Sequence, residues 1–524
     1  MMVRLSLLST SLMIQQKFIK LSLFFLIVLG VLIRVWRFGS IPFSLYWDEV
    51  AIGLDARSLL QTNKDINGNS WLQPLFFSYG DYKAPVYIWL VTIFSKFLSV
   101  SQFSIRLPSL LASLAIAFLL FKLIQLVSKK NSNLPLLTTI SFLIMPWAIH
   151  FSRIGMESHL SLFWLVLSVY LSVLAAKKSK PLYLLFSALA ISLGIYTYIS
   201  LRVIAPILFI ITFLIYCRSS LKKYLPSFTA GLAIIASAIF ILIRSPDYQA
   251  SQAYRLSNDN LIKSTTYIDK SITAQGSQST FISRIVHHRY LYKSAEYLEN
   301  YFAHFSPQFL FTSGDNNPRH HSGFGGQLLA VQGIFLILGL YYLFRKIPKK
   351  EKYLLLSWLL LSPTVSALVN EVPHASRSIY MIIPLAWIIG IGFNQLKSYK
   401  PIFTRLIVIL LIFNLSLYLH DYFSHYPQRS SLAWVNPYKQ TALALQDKPK
   451  DKAIYITNEF YKPELYIAFY QNKNLNNLKN YFFFLPNTCP ENSWCVASPG
   501  WQPDTTTIIK HFSSTNELVV KKAL

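Results

Sequence analysis

Apolar runs recur along this 524-residue chain at about 20 residues each, the length an α-helix needs to cross a hydrocarbon core roughly 30 Å thick. Such runs lie near 18–36, 107–127, 134–150, 157–176, 181–199, 201–217, 225–243, 327–345, 352–370, 377–396 and 401–419, which predicts eleven spans. Hydrophobic side chains make up 53% and charged ones only 14%, with a mean hydropathy of +0.39. A soluble globular protein carries about 25% charged residues, so this composition excludes an ordinary soluble enzyme.

The net charge of +27, from 49 Lys+Arg against 22 Asp+Glu, sits mostly in short clusters between the runs. No Gly-rich basic arm accompanies it, so it reads as topological, with a secondary role toward anionic lipid substrates and none toward nucleic acid. Lys and Arg in short loops stay in the cytoplasm. The loops holding Lys129 and Lys130, Lys177 to Lys180, Arg218 to Lys223, Arg345 to Lys352 and Lys397 to Lys400 all fall inside if the N-terminus, 1–17, is cytoplasmic. This holds if the stretch 85–101 does not cross completely but lies at the outer surface or re-enters. No small-residue cleavage signal follows 18–36, so it is expected to be retained.

The expected fold is therefore an all-α polytopic membrane bundle over 18–419, with juxtamembrane helices in the first outer loop. Outer loops at 37–106 and 244–326 and a C-terminal segment at 420–524 face outward. In that last segment 453–457 alternates as a strand does, 463–470 starts a helix and 481–485 is aromatic-rich, which suggests a small α/β domain. Cys489 and Cys495 share this oxidising side and are expected to form a disulfide, while Cys217 stays reduced. Three cysteines exclude a cysteine metal cluster as the organising feature.

Candidate chemistry concentrates at the outer ends of spans. Asp48 and Glu49 follow the first run; on a helix they point about 100° apart, so at most one faces a given site. A carboxylate there suits a general base, and the alternative is a solvated helix start. Lys83, in Tyr82-Lys83-Ala84-Pro85, is placed to meet a lipid phosphate or to snorkel. Arg153 and Glu157 are four apart, the spacing of a shared helical face and of a structural ion pair. Arg106 and Arg202 lie at outer span ends, against the inside bias, and need an anionic partner. His374 and Arg377 occupy a tight outer turn that fits a phosphate clamp. His320 and His321, in Gly314 to His321, are adjacent rather than four apart, unlike a helical zinc site, so no metal site is expected.

Together the acidic pair after the first span, Asp65-x-x-Gly68, Tyr82-Lys83-Ala84-Pro85, Arg106-Leu107-Pro108 and Arg153-x-x-x-Glu157 resemble the polytopic C-type glycosyltransferases of family 39. That group holds the protein O-mannosyltransferases and the lipid A aminoarabinose transferases, and the resemblance spans about 18–420. It implies inverting transfer of a hexose or pentose from a polyprenyl-phosphate donor to an extracytoplasmic lipid, glycan or protein at the cell envelope. Asp48 matches the family's catalytic acidic position, a general base, with Glu49 beside it, Lys83 its donor-phosphate lysine and Glu157 its second acidic position. Tyr82 stands where the aminoarabinose transferases have a glutamate, which weakens a claim to their metal site, and no cofactor is firmly implied. The last 100 residues do not resemble the β-trefoil of eukaryotic O-mannosyltransferases. The competing classes are a transporter or flippase for lipid-linked glycans, expected to show repeated halves that this sequence lacks, and a non-enzymatic assembly protein.

Overall fold

The computed structural model describes residues 24–130, 132–258, 266–275, 280–369, 371–396, 399–446, 452–498, 506–511 and 519–523; the start of the first run lies outside them. It is mostly helical. The chain runs from α1 (Phe24–Val35) to α2 (Trp47–Thr62), then through strands β1 (Phe76–Ser78) and β2 (Asp81–Lys83) to α3 (Pro85–Leu98). Next come α4 (Gln102–Val127), α5 (Leu134–Leu143), α6 (Pro146–Phe151), α7 (Glu157–Lys178), α8 (Leu182–Ile195), α9 (Leu201–Tyr216) and α10 (Leu221–Arg244). The segment after α10 folds as α11 (Pro246–Asn258), α12 (Thr266–Gln275), α13 (Phe281–Val286) and α14 (Arg289–Ala303). Then follow α15 (Gln332–Lys346), α16 (Lys349–Leu361), α17 (Ile382–Gln395) and α18 (Pro401–His420).

Among the described residues four helical stretches are long and apolar enough to cross a membrane: α4, α7, α10 with the turn from Arg218, and α18 continued to Arg429. The run 134–150 is not one helix. Pro146 opens α6 and holds Met145 extended, so α5 ends before it, as the residue before a proline is pushed out of the helical region. The run 352–370 also stops early, at Leu361, and continues as turns and a short 3-10 segment, Ser366–Leu368.

The C-terminal part contains α19 (Tyr426–Arg429), α20 (Asn436–Ala444), β3 (Ile454–Ile456), α21 (Pro463–Tyr470), β4 (Tyr481–Phe482), β5 (Trp494–Ala497), β6 (Thr506–His511) and β7 (Val519–Ala523). Its sheet order is β4-β3-β5-β7-β6. β3 pairs in parallel with β4 and β5, and β7 antiparallel with β5 and β6. Cys489 and Cys495 are bonded to each other, and Cys217 is buried and free.

This part packs onto α2, β1 and α3 rather than standing apart. Val50, Ile52, Phe76, Val86 and Tyr87 share one apolar core with Tyr438, Ile454, Ile456, Leu465 and Phe469. Arg57 of α2 donates to the carbonyls of Ala468 (3.1 Å) and Phe469 (2.9 Å) at the end of α21, where a cation suits the helix C-terminus.

Candidate active site

The hairpin β1–β2 sets the site's geometry. Tyr79 and Gly80 both have positive φ (55° and 91°), the conformation of a two-residue turn that matches strand twist. It pairs Ser78 with Asp81 and Phe76 with Lys83, bringing the buried Lys83 to the first turn of α2. There Lys83 donates to Asp48 and lies 3.8 Å from Asp81. Burial alone would lower the lysine's pKa, but Asp48 and then Asp81 raise it above the ordinary value, so Lys83 is a cation. The ammonium engages Oδ1 of Asp48, whose side chain stays partly exposed toward the cavity.

A cavity of about 390 Å³ opens here. It brings together six of the expected residues, Asp48, Lys83, Glu157, Arg202, His374 and Arg377. Arg202 donates to the Ile195 carbonyl (3.2 Å) and lies over the Tyr248 ring. Arg319 and His320 complete the wall, with the Arg319 guanidinium 4.4 Å from the Trp47 ring centre. A second cavity of about 530 Å³ shares Trp47, Asp48, Asp81 and Arg377 with the first and is closed by Tyr461, Lys462 and Leu465 of the C-terminal part. Asp48 thus stands between two spaces.

Three expected site residues line neither cavity. Glu49, expected beside Asp48 as a catalytic acid, is wholly buried and consumed by hydrogen bonds. It accepts from Arg106 Nε (2.9 Å), Arg106 Nη2 (3.2 Å) and the backbone of Gly155 (2.6 Å) and Tyr46 (3.2 Å). A Cβ on Gly155 would sit 2.9 Å from Glu49 Oε1, so the close approach requires glycine. Arg106, expected to bind substrate, also donates to the carbonyls of Pro42 (3.0 Å) and Ser44 (2.6 Å). Arg153 is not on one helix with Glu157, because turns intervene between α6 and α7. It donates instead to the carbonyls of Ile33, Arg34 (3.0 Å) and Trp36 (2.8 Å), capping the end of α1.

Arg319, Asp315 and the C-terminal wall of the second cavity were not singled out from sequence. Arg319 had a signal, a cation in a polar loop beside histidines. Tyr461 and Lys462 had none, since their placement depends on how α21 docks.

Residues 82–243 match the family model described as dolichyl-phosphate-mannose-protein mannosyltransferase, and the family resemblance read from the motifs is borne out. No curated protein matches the chain. In fold the chain is similar to ArnT from Cupriavidus metallidurans bound to undecaprenyl phosphate, with 9% identity and a TM-score of 0.53 over 95% of this chain and 97% of that one. It is also similar to the archaeal oligosaccharyltransferase AglB from Archaeoglobus fulgidus in complex with an inhibitory peptide and a dolichol-phosphate. There the identity is 12% and the TM-score 0.50, over 92% of this chain and 70% of that one. At these identities the likeness is one of fold.

Proposed function

We propose that this integral membrane protein is a glycosyltransferase that moves a sugar from a polyprenyl-phosphate donor to an acceptor hydroxyl on the outer side of the plasma membrane. The observation that carries the reading is the convergence on one cavity of Asp48 with Lys83, Arg202, Arg319 and Arg377, from five separate stretches of chain. A carboxylate among fixed cations suits displacement of a phosphate leaving group. The two structures similar in fold carry undecaprenyl phosphate and dolichol-phosphate, which supports a lipid-phosphate donor.

In this reading the donor phosphate occupies the first cavity and the acceptor enters through the second. Asp48 takes the acceptor's hydroxyl proton while that oxygen attacks the anomeric carbon from the face opposite the phosphate, inverting it. The carbon–oxygen bond to phosphate breaks, and the negative charge that develops on the lipid phosphate is held by Lys83, Arg202, Arg319 and Arg377. The Lys83 ammonium, paired with Asp48 before donor binds, shifts toward the phosphate and leaves the carboxylate more basic. Glu49, Arg106 and Arg153 support the framework, and the eleven-span topology with outward loops 37–106, 244–326 and 420–524 belongs to the same proposal.

Mass analysis of lipid-linked sugars and surface glycans in cells tests it. Cells carrying Asp48→Asn should accumulate the sugar-loaded lipid and lose one glycan modification that wild-type cells make. Identical lipid and glycan profiles in the two would contradict the reading.

A further inference from the structure

α15 and α17 run side by side in the same direction. Gly339 and Gly392 let their backbones meet: a Cβ on Gly339 would strike the Ile388 carbonyl, and one on Gly392 the Phe335 carbonyl. At the far ends Lys346 Nζ of α15 donates to Gln395 Oε1 of α17 (3.0 Å). The stretch that lines the first cavity, Glu371 to Arg377, precedes α17. These far ends therefore lie about 20 Å from it, along a helix of 14 residues.

A groove of about 420 Å³ runs here between α15 and α18. Ile334, Ile337 and Leu338 form one side, Phe403 and Ile407 the other, and Tyr399 one end. Ile337 and Phe403 are 71% and 55% exposed. Cations gather at the Tyr399 end. Tyr399 is hydrogen-bonded to Tyr342, whose ring centre lies 4.5 Å from the Lys346 ammonium. Lys400, next in the chain, stands exposed at the N-cap of α18, and Arg345 lies 4.6 Å from the Tyr341 ring centre. Glu351, the one acid among the described residues of 343–352 and 396–400, is buried and accepts from the Tyr216 hydroxyl (3.4 Å).

We propose that this groove holds one acyl tail of an anionic glycerophospholipid, with the lipid's phosphate against Lys346 and Lys400. In a bilayer an apolar groove gains little by exchanging one tail for another, because the surrounding tails are equally apolar. Selectivity therefore comes from the headgroup, and two ammonium groups favour a net negative lipid over a zwitterion. Tyr342 and Tyr399 stand where apolar groove meets charged rim, the position at headgroup level that tyrosine's amphipathic ring suits. Under the proposed function the donor's phosphate sits at the other end of α17, so the donor is not the occupant. In the proposed topology this end meets the cytoplasmic leaflet, whose anionic lipids attract basic segments. The groove and its lysines rest on neither reading.

Native mass spectrometry of the full-length protein, released from detergent after incubation with equal amounts of phosphatidylglycerol and phosphatidylcholine, tests the site. Wild type should retain phosphatidylglycerol as its first lipid by at least about tenfold. Lys346→Gln with Lys400→Gln should bring the two lipids near parity. Ile337→Trp, which fills the groove and leaves the cations, should lower retention of phosphatidylglycerol. Lys346→Arg with Lys400→Arg should keep the preference, which separates lost charge from a folding defect. Lys177→Gln with Lys178→Gln, at the exposed end of α7, removes as much charge elsewhere and should keep it too. No preference in wild type overturns the site, as does a preference that survives Lys346→Gln with Lys400→Gln or falls equally with the α7 pair. A polyprenyl monophosphate should bind wild type and the Lys346→Gln, Lys400→Gln protein alike; its selective loss from the latter would assign the groove to the donor and overturn the proposal. These outcomes stand whether or not the protein transfers sugar.

Discussion

One step along α2 turns a side chain by about 100°, and this separates Asp48, facing two cavities, from Glu49, buried against Arg106. The sequence carries that divergence but not which acid turns inward, since the partner arginine lies 57 residues away. Arg106→Met leaves Glu49 charged and unpaired in the core, a change that costs about 3–5 kcal/mol when a buried pair is broken. Its thermal unfolding in detergent should fall by many degrees, and an unchanged midpoint would mean the pair is dispensable. Asp55 offers a pH test. Burial raises its pKa to about 7 despite hydrogen bonds from Ser78 and the Ile66 backbone, above the roughly 3.9 of an unfolded aspartate. With the folded value raised, its contribution to stability is full below the unfolded pKa and is lost as pH rises through about 7. Unfolding midpoints measured from pH 5 to 8.5 should decline less for Asp55→Asn than for wild type; parallel curves would contradict the assignment.

Helix boundaries follow local chemistry where a proline or a cap speaks, as at Pro146, which divides an apolar run too uniform to show the break in hydropathy alone. The helices between 246 and 303 were less legible, because their segment reads as polar loop while α14 exposes Tyr290, Leu291, Leu298 and Phe302. Docking of α21 on α2 lies beyond any local pattern. At Gly53 an added Cβ would come within 2.6 Å of the Phe469 ring and 2.7 Å of Ile105. Gly53→Leu should therefore wedge α21 away, an overpacking cost of about 1–3 kcal/mol, and speed release of the C-terminal part by limited proteolysis. A cleavage rate equal to that of wild type would show that the contact does not hold it.

For the whole molecule, the excess of apolar runs made a membrane protein readable, whereas the cavity required elements from 46 to 377 to converge. The proposed topology places opposite ends of α4 on opposite sides. A cysteine at the exposed Ser99 should react with an impermeant reagent in intact cells, and one at the exposed Lys129 should be protected; the reverse pattern would invert the scheme. Donor consumption by the purified protein in detergent, where transport between compartments has no meaning, tests the central claim most directly. Wild type supplied with a polyprenyl-phosphate sugar and acceptors should consume the donor. Asp48→Asn should bind it as well but turn it over about 10² to 10⁴ times more slowly, while Lys83→Ala should lose both binding and turnover. Equal consumption by wild type and Asp48→Asn, or no turnover by wild type across a broad panel of such donors and acceptors, would contradict the account.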